Sequence, residues 1–237
     1  MKRTLIFTLF VAAAALSGAS AANADPAASP APAATPLPPS KLSGSISTDL
    51  LIHPVVNNFL SDGGGGPANL TVRSELGLQA GRGAFLLSDD YRHVEFSVPV
   101  NGSAFNASQL DNDVHLDYGV HSLYAGIGYL TRTNNYGIGV RALGFGGQFE
   151  SSLKRPVALY ASLYYYPSAH GTDVALNSTQ DNLAYHVTKG GVGAKVPLKR
   201  TQAFFDLGMD GERGLPAALA TRSYTETSPY AGLGWHF

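Results

Sequence analysis

The chain has 237 residues, a net charge of −1 and no cysteine. Charged residues are only 14% of it, against about 25% in an ordinary soluble domain, while glycine reaches 27 residues. The missing cysteine excludes a lipid-anchored lipoprotein and suits an oxidising compartment, and the near-neutral charge gives no sign of nucleic-acid binding.

The first residues read as a secretion signal. Met1-Lys2-Arg3 is a short basic start, and Thr4 to Leu16 is an apolar run too short to span a bilayer as a helix. Small-x-small sites follow at Ala19-Ser20-Ala21 and Ala22-Asn23-Ala24, and cleavage is expected after Ala24. An uncut N-terminal anchor is the competing reading. Residues 25–40 hold six prolines among alanines, a composition that favours extended, unpacked chain, so they are expected to be a disordered leader. Residues 41–237 remain as one domain.

That domain reads as strands, because residues two apart share a strand face. Leu42 to Ile52 is a first candidate. Asp62-Gly63-Gly64-Gly65-Gly66-Pro67 reads as a loop, since no helix follows to make it a phosphate cradle. In Leu70 to Ala80, Leu70, Val72, Leu76 and Leu78 oppose Thr71, Arg73, Glu75 and Gly77. Ala84 to Val98 alternates poorly. Val114 to Thr131 is either one long strand or two joined by a turn near His121-Ser122. In Tyr136 to Leu143, Ile138, Val140 and Ala142 oppose Gly137, Gly139 and Arg141; Val157 to Tyr165 also alternates. Leu183 to Val196 changes phase midway, so a β-bulge is expected at Gly190-Gly191. In Ala203 to Met209, Phe205 and Leu207 oppose Asp206 and Gly208.

The last strand is the most telling. Ala231, Leu233, Trp235 and Phe237 share one face, with Tyr230, Gly232, Gly234 and His236 on the other. An apolar stripe ending on two aromatics suits the closing strand of a membrane barrel, where aromatics sit at the interface. The arrangement resembles the C-terminal signature of Gram-negative outer-membrane barrels, which implies that these four residues are read by the barrel-assembly machinery. A soluble sandwich or ligand-binding barrel would bury the same apolar stripes inward. The glycine-rich, sparsely charged opposing faces fit a narrow polar lumen better.

The expected fold is therefore an all-β, antiparallel up-and-down transmembrane barrel of eight or ten strands, ten being preferred. With the last strand ending in the periplasm, Pro197 to Arg200 and Glu150 to Arg155 become periplasmic turns. Arg132 to Asn135, Pro167 to Asn182 and Gly211 to Thr221 become outer loops. Ser122 to Gly208 resembles the YfaZ family of outer-membrane proteins. The resemblance rests on Leu159-Tyr160-Ala161-Ser162-Leu163-Tyr164-Tyr165-Tyr166-Pro167-Ser168, a polar loop, and Asp181-Asn182-Leu183-Ala184-Tyr185. It implies an outer-membrane location and no established activity.

Two stretches carry histidine beside acids: Ser88 to Glu95 and His115 to His121. An Asp pair near a histidine would suit water activation, and a Ser, His and acid set would suit acyl transfer; His93 with Glu95, and His115 with Asp117, would share faces. No spacing there is diagnostic, and no cofactor or metal motif is visible. The expected lumen charges are Arg73, Glu75, Arg141, Lys195, Asp206 and Asp210, a balanced set suited to ion pairs that plug a small barrel. Outer-membrane lipid and the assembly machinery are the expected partners. The expected role is structural or in surface interaction through the outer loops, with a narrow diffusion channel and a lipid-acting or proteolytic enzyme as alternatives.

Overall fold

The structure, a computed structural model, describes residues 42–52, 54–58, 61–63, 69–100, 103–135, 137–173, 183–217 and 223–237. The expected signal peptide over 1–24 and leader over 25–40 lie outside the described residues.

Among the described residues twelve strands form one antiparallel sheet: β1 (Leu42–Leu51), β2 (Val55–Asn58), β3 (Ser61–Gly63), β4 (Leu70–Ala80), β5 (Gly83–Val100), β6 (Ser103–Val120), β7 (Leu123–Asn134), β8 (Ile138–Glu150), β9 (Ala158–Asp173), β10 (Leu183–Pro197), β11 (Ala203–Pro216) and β12 (Tyr224–His236). Ten of them, β1 and β4 to β12, close into an up-and-down barrel through the pairing of β1 with β12. The seam runs to the last residue: Gly44 and Phe237 exchange backbone hydrogen bonds at 3.1 and 3.0 Å. The β2–β3 hairpin extends the seam at the opposite end, with β2 on Thr225 to Thr227. Part of the glycine-rich run expected as loop is therefore strand.

Both termini of the barrel lie at one end, where the connections are short. Gly81-Arg82 and His121-Ser122 are two-residue turns whose first residues have φ of 62°. Positive φ at that position is the primed-turn geometry that matches strand twist. Glycine adopts it freely, whereas His121 does so as a side-chain-bearing residue. The turn at His121-Ser122 splits Val114 to Thr131 and brings the barrel to ten strands.

The outer wall is apolar. Across it, Leu76, Leu87, Leu116, Ile127 and Phe145 form one continuous cross-strand row. Leu50, Ala231, Leu207, Ala194 and Leu159 form another. Leu50 and Leu143 are 65% and 69% exposed, values that make sense only against lipid. Aromatics mark the rims. Trp235, Phe237 and the Phe85–Tyr118 pair (5.0 Å) stand at the terminal end, and Phe145 with Tyr165 (5.8 Å) stands toward the other. A closed antiparallel barrel with an apolar exterior, aromatic rims, an even strand number and short turns beside both termini is an outer-membrane barrel, its short-turn end in the periplasm. β5 and β6, at 18 residues each, exceed the roughly 9–11 residues a tilted membrane strand needs, and they overrun the bilayer on the loop side.

The structure corrects further sequence expectations. Arg132 to Asn134, Pro167 to Asp173 and Gly211 to Pro216 are strand, not loop. β10 has no bulge at Gly190-Gly191; Lys189, Gly191, Gly193 and Lys195 keep one phase. The irregularity lies across from it, where β9 passes from Tyr166 to Ala169 around Pro167, which has no N–H to give the ladder. Leu183, Tyr185 and Val187 are thus inward, packed with Leu130, Ala142, Tyr166 and Ala169 in an apolar layer near the loop end. Ile138 and Val140 join that layer, so the apolar stripe of β8 faces in, and Arg141 faces out beside Leu143 and Phe145.

Glycine and tyrosine are abundant for one shared reason. Inward glycines lie opposite inward aromatics on the neighbouring strand: Gly146 and Tyr164, Gly193 and Tyr160, Gly208 and Tyr230, Gly214 and Tyr224, Gly234 and Phe204. A Cβ at Gly193 would lie 2.5 Å from the Tyr160 ring. Each aromatic side chain takes the space that a side chain at the glycine would need, so a narrow barrel holds large residues without overpacking.

Candidate functional site: the polar barrel interior

Alternation sends every second residue of each strand inward, and the inward faces carry the charges. At the periplasmic end Lys195 on β10 pairs with Glu75 on β4 at 2.6 Å and with Glu150 on β8 at 2.9 Å; Ser45 donates to Glu75 at 2.7 Å. The next layer is built on Arg73. Its guanidinium bonds Asp49 at 2.9 Å, pairs with Asp210 and reaches Asp90 at 3.5 Å, while stacking 4.0 Å over the Tyr230 ring. Asp206 accepts from Tyr160 at 2.5 Å and from Ser47 at 3.3 Å.

Farther out, Lys189 pairs with Asp113 at 2.8 Å. Asp113 also accepts from Tyr166 and lies 3.0 Å from His115 Nε2. Above these, Arg132 forks onto Asp111 at 2.7 and 2.8 Å and reaches Glu212 at 2.7 Å. Tyr224 donates to Glu212 at 2.5 Å, and Arg92 pairs with Glu226 at 2.5 Å.

Five of the six lumen charges read from the sequence face inward, and two pairs form among them: Arg73 with Asp210, and Lys195 with Glu75. Arg141 is the exception, on the outer wall. The expected balance of charge does not hold either. Among the described residues seven buried carboxylates, Asp49, Asp111, Asp113, Asp117, Asp206, Glu212 and Glu226, face five buried cations, Arg73, Arg92, Arg132, Lys189 and Lys195. Asp90, Asp210, Glu75 and Glu150 add to the acidic side. The sequence reading missed Asp111, Arg132 and Glu212 because it ended their strands too early. It missed Lys189 because the supposed phase change turned that residue toward lipid.

The histidines part company. His93 and Glu95 lie on the outer side, 3.9 Å apart. His115 is buried, stacked on Tyr164 at 3.7 Å, with Nδ1 3.3 Å from Ser88 Oγ. Ser88, His115 and Asp113 thus form a hydroxyl–imidazole–carboxylate contact, but Asp113 is already held by Lys189 and Tyr166. Asp117 does not join it: it accepts from Tyr164 at 2.6 Å and Gln148 at 2.7 Å. Asp111, Glu212 and Glu226 bring three carboxylate oxygens within 4.8 Å of one another, a spacing a metal ion could bridge. Arg132 and Arg92 already supply the positive charge there, so the group is an ion-pair knot.

No family model matches the chain, and no curated protein matches it. Among solved structures it is similar to neisserial surface protein A, NspA, at 9% identity over 84% of this chain and 100% of that one, TM-score 0.42. The translocator domain of the autotransporter NalP from Neisseria meningitidis matches at 11% identity over 83% and 88%, TM-score 0.36. A loop-L8 deletion form of OmpT, an outer membrane protein of Vibrio cholerae, matches at 9% identity over 84% and 99%, TM-score 0.32.

Proposed function

We propose that this outer-membrane barrel has a plugged interior and no enzymatic activity, and serves a structural or surface-interaction role through its outer loops, in the manner of YfaZ-like proteins. The supporting observation is the stack of ion pairs from Lys195 through Arg73 and Lys189 to Arg132, each joining strands from different parts of the wall. In a water-poor interior such pairs hold side chains in place and resist screening by salt. The overrun of β5 and β6 beyond the bilayer gives the loops a raised base. The outward face of Ala231, Leu233, Trp235 and Phe237 is the assembly signal on this reading, offered to the barrel-assembly machinery.

Reconstitution in planar bilayers tests the plug. The unmodified protein should show no stable open channel at neutral pH; a steady ohmic current overturns the reading. One observation favours the channel alternative, namely the surplus of interior carboxylates. A conducting barrel of this kind would select cations.

A further inference from the structure

The outer wall carries a carboxylate where lipid should be. Asp89 lies on the outward face of β5 between Leu87 and Tyr91, both lipid-exposed, and opposite Val114 of β6. The inward residues beside it, Ser88 and Asp90, belong to the interior. Asp89 Oδ1 is covered by neighbouring atoms and has no hydrogen-bond partner. Its cross-strand neighbour on β4 is Ser74. Thr48, on β1 beside Val72, lies diagonally from Ser74, and Asn112, opposite Tyr91, extends the polar group by one row toward the loops. On the other walls the band holds residues such as Leu163, Val192 and Leu207.

A carboxyl facing hydrocarbon is costly and persists where something satisfies it. Leu76 and Leu87 beneath it belong to the apolar row, so it does not stand at the periplasmic rim. Ser74 and Asp89 are a donor and an acceptor side by side on paired strands, and such a pair is self-complementary. Two barrels inserted the same way up can be related only by an axis along the membrane normal, which brings residues of like depth together.

We propose that the wall formed by β1, β4 and β5 is a self-association surface on which two copies of this chain meet about such an axis, passing between Ser74 and Asp89. Each Ser74 hydroxyl then donates to the partner's Asp89 Oδ2, the carboxylate oxygen that its own chain leaves uncovered. The carboxyls lie off the axis, each beside a hydroxyl rather than beside the other. Leu76, Leu87 and Val72 supply the apolar surround, and the small Thr48 lets the walls approach, as small residues do in membrane interfaces.

The absence of cysteine makes the test clean. Leu87→Cys places a thiol on the proposed surface, and Leu163→Cys places one on β9, across the barrel. Oxidative cross-linking in outer-membrane fractions should give a homodimer with Leu87→Cys and little with Leu163→Cys. In vesicles at low protein density, photobleaching should count two copies per spot. Asp89→Leu should lower the dimer fraction at least tenfold, and Asp89→Asn, which keeps an acceptor, should retain it. Heat-modifiable migration on gels checks that each variant is folded; should Asp89→Leu fail to fold, Ser74→Ala takes its place with the same expected loss. A monomeric native protein, equal cross-linking from both cysteines, an undiminished dimer in the folded variant, or cross-linking of Leu87→Cys only to a different protein would each overturn the proposal.

Discussion

Arg73→Met is the most searching test of the interior. The substitution keeps the length of the stem and removes the guanidinium. Asp49, with no solvent exposure, then loses its 2.9 Å partner; Asp210 and Asp90 lose theirs, and the Tyr230 ring loses its cation. Removing one member of a buried pair costs about 3–5 kcal/mol, because the remaining charge stays buried without compensation. The cation–π contact adds to the loss without being separable from it. Reversible unfolding by guanidinium in phospholipid vesicles measures this, and Trp235, the single tryptophan, reports it from the outer wall of β12. Arg73→Lys should recover part of the loss, since an ammonium keeps the charge but not the forked contacts. A cycle with Asp49→Asn should show coupling of about 0.5–3 kcal/mol, the range for residues in one network. A loss below about 1 kcal/mol for Arg73→Met would refute the reasoning, because it would mean that water already reaches these carboxylates.

Three further substitutions test the wall and which residues face it. Leu207→Arg turns a half-exposed, lipid-facing residue into a charge and should cost about 2–4 kcal/mol near the midplane. Asp206→Asn, one residue away and facing in, keeps an acceptor for Tyr160 and should cost about 1 kcal/mol by the same unfolding assay; equal tolerance of the two would refute the facing. Phe237→Asp removes the ring that lies within 2.9 Å of where a Cβ on Gly44 would sit, at the seam of β1 and β12. The yield of heat-modifiable barrel in outer-membrane fractions should fall, and a normal yield would count against a closing role for that residue.

The wall was legible in the sequence, and the interior only in part. Within the bilayer one face must be apolar, so Leu76 and Leu78 on β4 or Leu233 and Trp235 on β12 declare their side by period alone. Where strands leave the bilayer that rule lapses. Ile138, Val140 and Ala142 are apolar and face in, because they cover the top of the polar stack, while Arg141 faces out above Leu143. The same lapse makes Leu183, Tyr185 and Val187 look like a change of phase in β10, although the strand keeps its phase and β9 takes up the irregularity at Pro167. Ala84 to Val98 hid its alternation because Leu86 and Val94 lie inside while Asp89 lies outside.

The pairing inside depends on closure, which no local pattern records. Arg73 and Asp210 are 137 residues apart, and Lys195 and Glu75 are 120 apart. Period 2 can assign each to the inward face, but opposite strands meet across the lumen only once strand number and stagger are fixed. An eight-stranded barrel from the same segments would have presented different partners to Arg73. The turn at His121-Ser122, a backbone event, therefore decides which acids meet which bases. For the same reason the ion pairs are a sharper test of the fold than the apolar wall. Many strand counts would satisfy lipid with the outward residues this chain carries, whereas a changed count would leave Asp49 and Asp111, both buried, without the guanidinium groups that now hold them.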